Sequence, residues 1–165
     1  MNASMPTLTV ELADYADQRD AADVVALLDE YARDPMGGGA PLSAEARARV
    51  VPGLAATPGA FSLIARFDGE AVGLANCFTG YSTFAAAPLV NVHDMAVGTA
   101  HRGHGIGKAL LGAVEAEARR RGACKVTLEV LSGNARAKAL YVALGYNDYQ
   151  LDPEAGHALF WQKKL

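Results

Sequence analysis

The chain reads as one α/β domain, residues 1–165, with about seven strands and about four helices. Three observations predict this. Segments with apolar residues at period two alternate with segments at helical spacing. A turn with three glycines, at 103, 105 and 107, joins a strand to a helix. Length and composition, 165 residues with 51% hydrophobic and 20% charged, suit one soluble domain with a real core.

The elements follow in order. Leu8, Val10 and Leu12 share one face of a strand over residues 7–13. Asp17 caps a helix through Val24, Val25, Leu27, Leu28 and Tyr31, which stops at Asp34-Pro35 because a residue before proline avoids the helical region. Residues 36–41 form a flexible loop. Ser43 opens a second helix ending near Pro52 or Pro58. Residues 61–67 and 71–79 form a hairpin about Asp68-Gly69. Residues 89–97 make a strand and 105–121 a helix, where Glu115/Arg119 and Glu117/Arg121 are i,i+4 pairs. The run Arg119-Arg120-Arg121 sits at the negative helix end, which accounts for it without nucleic acid. Gly122 closes that helix. Residues 124–131 read as a strand, 134–144 as a helix ended by Gly145, and 146–151 and 158–163 as two closing strands.

Net charge is −3 with a pI near 5.8, which argues against nucleic acid or an anionic membrane as partner. The first residues have no basic cluster or apolar run, so no signal peptide is expected, and no stretch suits a membrane helix. Cys77 and Cys124 read as buried reduced thiols of a cytoplasmic protein. No His, Cys or carboxylate spacing suggests a metal.

Arg102-Gly103-His104-Gly105-Ile106-Gly107-Lys108 joins a strand to a helix start, where free N–H groups and the helix dipole form an anion site. A phosphate suits it; a close-packed glycine turn is the bland alternative. The dinucleotide spacing fails, because Lys108 or Leu110 stands where the third glycine belongs. A Walker loop fails too, since Ala109 follows Gly107-Lys108.

The segment does match R-x-x-G-x-G at Arg102, Gly105 and Gly107. A second block, Asn134, Ala137, Leu140, Tyr141 and Gly145-Tyr146, follows downstream, and Val92-His93-Asp94-Met95-Ala96-Val97 precedes the loop. In these motifs the chain resembles the GNAT superfamily, the Gcn5-related N-acetyltransferases, closely over about residues 89–146. The resemblance implies a mixed central sheet and acetyl-CoA as co-substrate, with no metal. It implies transfer of the acetyl group to a primary amine of a small molecule or peptide, by direct attack in a ternary complex. It places the pyrophosphate on the loop 102–108, with His104 phosphate-adjacent, and the pantetheine arm on the backbone of Met95, Ala96 and Val97. Asn134 contacts the cofactor, and Tyr141 protonates the departing thiolate. A homodimer is compatible with this reading.

Amine attack needs a free base, and deprotonating an ammonium of pKa about 10.4 at pH 7 costs about 4.6 kcal/mol. His93 is the candidate proton acceptor, because an ordinary histidine titrates near neutrality, at about 6.5. In a regular strand it shares a face with Asn91, Met95 and Val97, while Val92, Asp94 and Ala96 share the other. Asp94 is the rival if a bulge re-aims it, a water relay is a third route, and a hydrogen-bonded core histidine is the bland alternative for His93. Tyr141 could instead be plain core, since Ala137, Leu140, Tyr141 and Leu144 form a helical stripe, and Asn134 could simply cap its helix. Asp29, Glu30, Asp34 and Glu45, around the Gly37–Gly39 loop, would suit a cationic acceptor such as a polyamine, an amino acid or an aminoglycoside; a solvated helix face is the commoner explanation of such charges, so the acceptor stays open. The competing functional class is an acyl-CoA-binding sensor or interaction module without turnover.

Overall fold

A computed structural model describes residues 6–150 and 152–165. The elements are β1 (Leu8–Leu12), α1 (Gln18–Arg33), α2 (Ala44–Ala56), β2 (Ala60–Phe67), β3 (Glu70–Ser82), β4 (Ala87–Val97), α3 (Ile106–Arg120), β5 (Val126–Leu128) and α4 (Ala135–Ala143). They fall into two compact units, one ending at Leu128 and the other spanning Glu129–Leu165.

The first unit is built on a sheet of order β1-β2-β3-β4-β5, antiparallel except for the parallel β4–β5 pair. The α/β class and the mixed sheet are therefore as expected. The β2–β3 turn places Asp68 at φ 50° and Gly69 at φ 82°. Two left-handed residues give the twist that a tight hairpin needs.

Strand alternation divides the sheet into two faces. Ile64 and Leu74 pack with Val24 and Leu27 of α1 and with Val51 and Leu54 of α2. On this same face Arg66 forks to Asp20 and Asp23, each at 2.7 Å, tying β2 to α1. The opposite face receives α3. A Cβ on Gly73 would meet Leu110 Cδ1 at 3.0 Å and Ile106 Cγ2 at 3.1 Å, so glycine lets α3 lie directly on β3. Ile106, Leu110, Leu111 and Val114 are buried there.

Helix ends follow the capping chemistry read from the sequence. Asp17 accepts from the N–H groups of Arg19 and Asp20, and Ser43 accepts from Ala46. Pro52 does not end α2 but lies within it; the helix stops at Thr57, before Pro58, and Thr57 Oγ1 donates to the Gly53 carbonyl at 2.7 Å. The packing of Val51 and Leu54 into the core outweighs the bond that Pro52 cannot make.

Two strand expectations need correction. β5 covers Val126–Leu128 rather than residues 124–131, and Cys124 is exposed while Cys77 is buried. Residues 146–150 and 158–163 form no strand, and Leu151 lies outside the described residues. The described sheet thus has five strands, not about seven. The physical reason lies in the pattern. Leu159, Phe160 and Trp161 are consecutive apolar residues, 74–83% exposed, with no alternation to give a buried face. One hydrogen bond, Ala158 N to the Tyr149 carbonyl at 3.4 Å, joins these segments. No helix among the described residues is long and apolar enough to cross a membrane.

Candidate active site

β4 carries the first part of the site, and its register decides which side chains meet. Asn76 of β3 pairs with Asp94, but Cys77 pairs with Val92, so His93 is the extra residue of a bulge. A bulge breaks the alternation that a regular strand would impose. Its effect here is visible in the contacts. The His93 ring meets Phe78 edge-on at 5.5 Å, and Asp94 Oδ2 accepts from Asn76 Nδ2 at 3.0 Å. Residues 76 and 78 share one face of β3, so His93 and Asp94 share a face of β4. The regular-strand grouping of His93 with Met95 and Val97 is thereby corrected.

Asn76 is nearly inaccessible and belongs to a polar chain. Ser62 Oγ donates to Asn76 Oδ1 at 2.6 Å, and Tyr15 OH lies 2.8 Å from Ser62 Oγ. The Ser62 proton is committed to Asn76, so Tyr15 is the donor to Ser62. This chain escaped sequence reading. Its one signal was an asparagine inside the apolar run 72–78, where a buried amide requires partners.

β5 accompanies β4 only from Val90 to Val92. Met95, Ala96 and Val97 lie beyond the end of that ladder, bonded to β3 on one side. The pairing leaves their other backbone edge beyond β5, the geometry that a peptide-like ligand arm requires.

The glycine loop follows directly. Gly103 has φ 84° and Gly105 φ 78°, both left-handed, and a Cβ at either would meet nothing within 4 Å. Gly105 is the N-cap of α3 and supplies no side-chain cap. The first N–H groups of a 15-residue helix are therefore open to an anion. Ile106 is buried, so only its backbone serves this end, while Gly107 is half-buried and Lys108 exposed. His104 Nδ1 lies 3.2 Å from the His101 carbonyl. Arg102 is engaged with Asp34 at 2.7 Å and with the Val97 carbonyl at 3.1 Å.

In the second unit, Asn134 caps α4 by accepting from Ala137 N at 3.1 Å. The helix ends in a Schellman motif: Tyr146 N donates to the Tyr141 carbonyl at 2.9 Å and Gly145 N to Val142 at 3.0 Å. Gly145 takes φ 89°. The Tyr141 and Tyr146 rings lie 6.1 Å apart, the hydrophobic contact that accompanies this motif. The spacing from Tyr141 to Gly145-Tyr146 therefore has a structural cause, and it fixes where the Tyr141 ring can lie. Tyr141 is half-buried, not plain core.

With the loop, the open strand edge and the α4 block in place, the comparison with known proteins is decisive. The acetyltransferase (GNAT) family model matches residues 21–146. The chain belongs to the GNAT family. It is thus one of the acetyl-CoA-dependent N-acetyltransferases. No curated protein sequence matches this GNAT chain. Solved structures share its fold. A ribosomal-protein-alanine N-acetyltransferase from Brucella melitensis biovar Abortus 2308 is 23% identical with a TM-score of 0.66, over 88% of this chain and 99% of that one. An aminoglycoside acetyltransferase from an uncultured soil metagenome, in complex with sisomicin, is 16% identical with a TM-score of 0.74, over 95% and 97%. The aminoglycoside N-acetyltransferase AAC(6')-Iy in complex with CoA is 15% identical with a TM-score of 0.75, covering both chains fully.

The carboxylates expected to attract a cationic acceptor are mostly committed elsewhere in this GNAT chain. Asp29 accepts from Arg33, Arg47 and Leu42 N, each at 2.9 Å. Glu45 pairs with Arg49 at 2.7 Å, and Glu30 accepts from Thr99 N at 3.1 Å. A cleft of about 740 Å³ opens between α1 and α2, lined by Tyr15, Val25, Asp29, Arg47 and Val51 among others. It includes no residue of β4 or the glycine loop.

Proposed function

We propose that the chain transfers the acetyl group of acetyl-CoA to a primary amine of a small molecule or peptide, by direct attack within a ternary complex. The observation that carries this reading is the path from β4 to α3. The strand with a bulged His93-Asp94 pair leads straight into left-handed glycines and an uncapped helix N-terminus. Acetyl-CoA supplies the acetyl group as a thioester, which needs an anion site for its pyrophosphate and a backbone edge for its arm. The N–H groups of residues 103–108 suit the first and the backbone of Met95, Ala96 and Val97 the second.

Three side chains complete the scheme. His93 takes a proton from the acceptor ammonium, leaving a neutral amine to attack the thioester carbon. As the carbon–sulfur bond breaks, Tyr141 gives its hydroxyl proton to the thiolate, and the second proton shed by the new amide nitrogen passes through solvent to restore the Tyr141 hydroxyl. Asn134 supports the cofactor while capping α4. The family blocks support Tyr141 and Asn134; the bulge supports His93, because it turns that side chain toward the face of Asp94 and Phe78. In this reading residues 1–165 are a single N-acetyltransferase domain.

The test is a panel of primary amines with acetyl-CoA, read as release of free thiol. Thiol release that depends on both acceptor and protein is expected. Binding of acetyl-CoA without any release would favour the sensor reading instead. Within the panel, His93→Gln should erase the acidic limb of the pH–rate profile. Should Asp94→Asn erase it while His93→Gln does not, the proton acceptor is Asp94.

A further inference from the structure

We propose that Asp94 is the subsite for a second positive charge on the acceptor, so that the substrate carries at least two amino groups. The inference rests on the acetyltransferase reading above and deepens it.

Asp94 is half-buried, yet among the described residues no Lys, Arg or His forms a salt bridge with it. Other shielded acids of the first unit are matched: Asp20 and Asp23 by Arg66, Asp29 by Arg33 and Arg47, Asp34 by Arg102, and Glu117 by Arg120 and Arg121. A shielded carboxylate without a cation loses hydration and gains no counter-charge. What Asp94 has instead is a one-way chain of donors. Tyr15 donates to Ser62, Ser62 to Asn76 and Asn76 to Asp94 Oδ2. Ser62 is 0% and Asn76 2% exposed, so the final amide cannot swing away. Every proton in the chain points toward the carboxylate, which fixes the direction in which its other oxygen is presented.

The choice between the reacting amine and a second one follows from charge. A carboxylate beside an ammonium holds it protonated. The attacking nitrogen must be neutral, so Asp94 is the wrong partner for it and the right partner for an amine that stays charged. His93, on the same face, is the group suited to the reacting nitrogen. Tyr31 also lies within electrostatic reach of Asp94: its hydroxyl pKa is pushed up by burial, then by Asp94 and Asp34.

The experiment compares a straight-chain diamine with the amino alcohol of equal length, in which a hydroxyl replaces the second amine. The wild type should favour the diamine in kcat/KM by roughly 10- to 100-fold, the range for a charged hydrogen bond. In Asp94→Asn that ratio should collapse toward unity. In Asn76→Leu, with folding verified by thermal melting, it should fall part of the way. The isosteric Asp94→Asn keeps the test decisive if Asn76→Leu does not fold. No diamine preference in the wild type overturns the subsite. So does a ratio unchanged in Asp94→Asn, including the case where both acceptors lose activity alike. If the wild type acetylates no amine in the broader panel, the acetyltransferase reading itself fails, which is a separate result.

Discussion

Arg102 donates to Asp34 Oδ2 at 2.7 Å, and its Nε donates to the Val97 carbonyl at 3.1 Å. The arginine that opens the glycine motif is therefore a brace between the end of β4 and the end of α1. Asp34 extends the brace, since its backbone carbonyl accepts from Gly37, Gly38 and Gly39 at 2.8–3.1 Å. One aspartate thus holds both the arginine that opens the glycine loop and the turn that follows α1.

The brace has a pH signature. The hydrogen bond from Arg102, then that from Met36 N, holds the Asp34 carboxyl below its ordinary value. A carboxyl depressed on folding contributes stability above the unfolded pKa of about 3.9, and loses it as pH falls through the native one. Asp34→Asn should therefore melt below the wild type at neutral pH, with the gap narrowing once pH drops below about 4. Thermal melts across that range check it; a gap independent of pH would leave the ion pair without a role in stability.

Tyr141→Phe should lower turnover roughly 10²- to 10⁴-fold, the span of general-acid effects, with cofactor affinity unchanged. The phenyl ring keeps its place 6.1 Å from Tyr146, so the Schellman stop of α4 survives. Steady-state kinetics with a cofactor titration make the check. An unchanged rate would assign the thiolate's proton to another group.

Much of this was legible in the residues because it depends on local chemistry. Asp17, Ser43 and Asn134 cap helices because their side chains accept from N–H groups two or three residues on. Asp68-Gly69 turns the hairpin because both residues tolerate positive φ. What escaped depends on register. Nothing at His93 announces a bulge, yet one extra residue moves Asp94 onto its face and Met95 off it. The same holds for Asn76: an asparagine in a strand was visible, but its link to Asp94 exists only once β3 and β4 are aligned. The pairing of Asp29 with Arg47 and of Asp34 with Arg102 was hidden for a related reason, since each partner is distant in sequence.

The cysteines, both read as buried, separate in the structure. Burial pushes the Cys77 thiol up to about 12. A thiol held that far from ionisation and shielded from solvent does not react. Cys124 is exposed. A disulfide reagent should therefore label one thiol per native chain at pH 8 and both after denaturation. Rapid labelling of both in the native protein would place Cys77 at the surface.

If acetyl-CoA is held by the N–H groups leading into α3, a carboxylate placed at Gly105 must weaken its binding. The φ of Gly105, 78°, is left-handed, and space around it is open. Aspartate and asparagine tolerate that conformation better than most residues, so both variants should fold. Acetyl-CoA should raise the melting temperature of the wild type by mass action, and NAD should not. In Gly105→Asp the shift should vanish, because a carboxylate would face the pyrophosphate; in Gly105→Asn it should persist, reduced. An equal shift with NAD, or an undiminished acetyl-CoA shift in Gly105→Asp, would mean that these N–H groups do not select and hold acetyl-CoA.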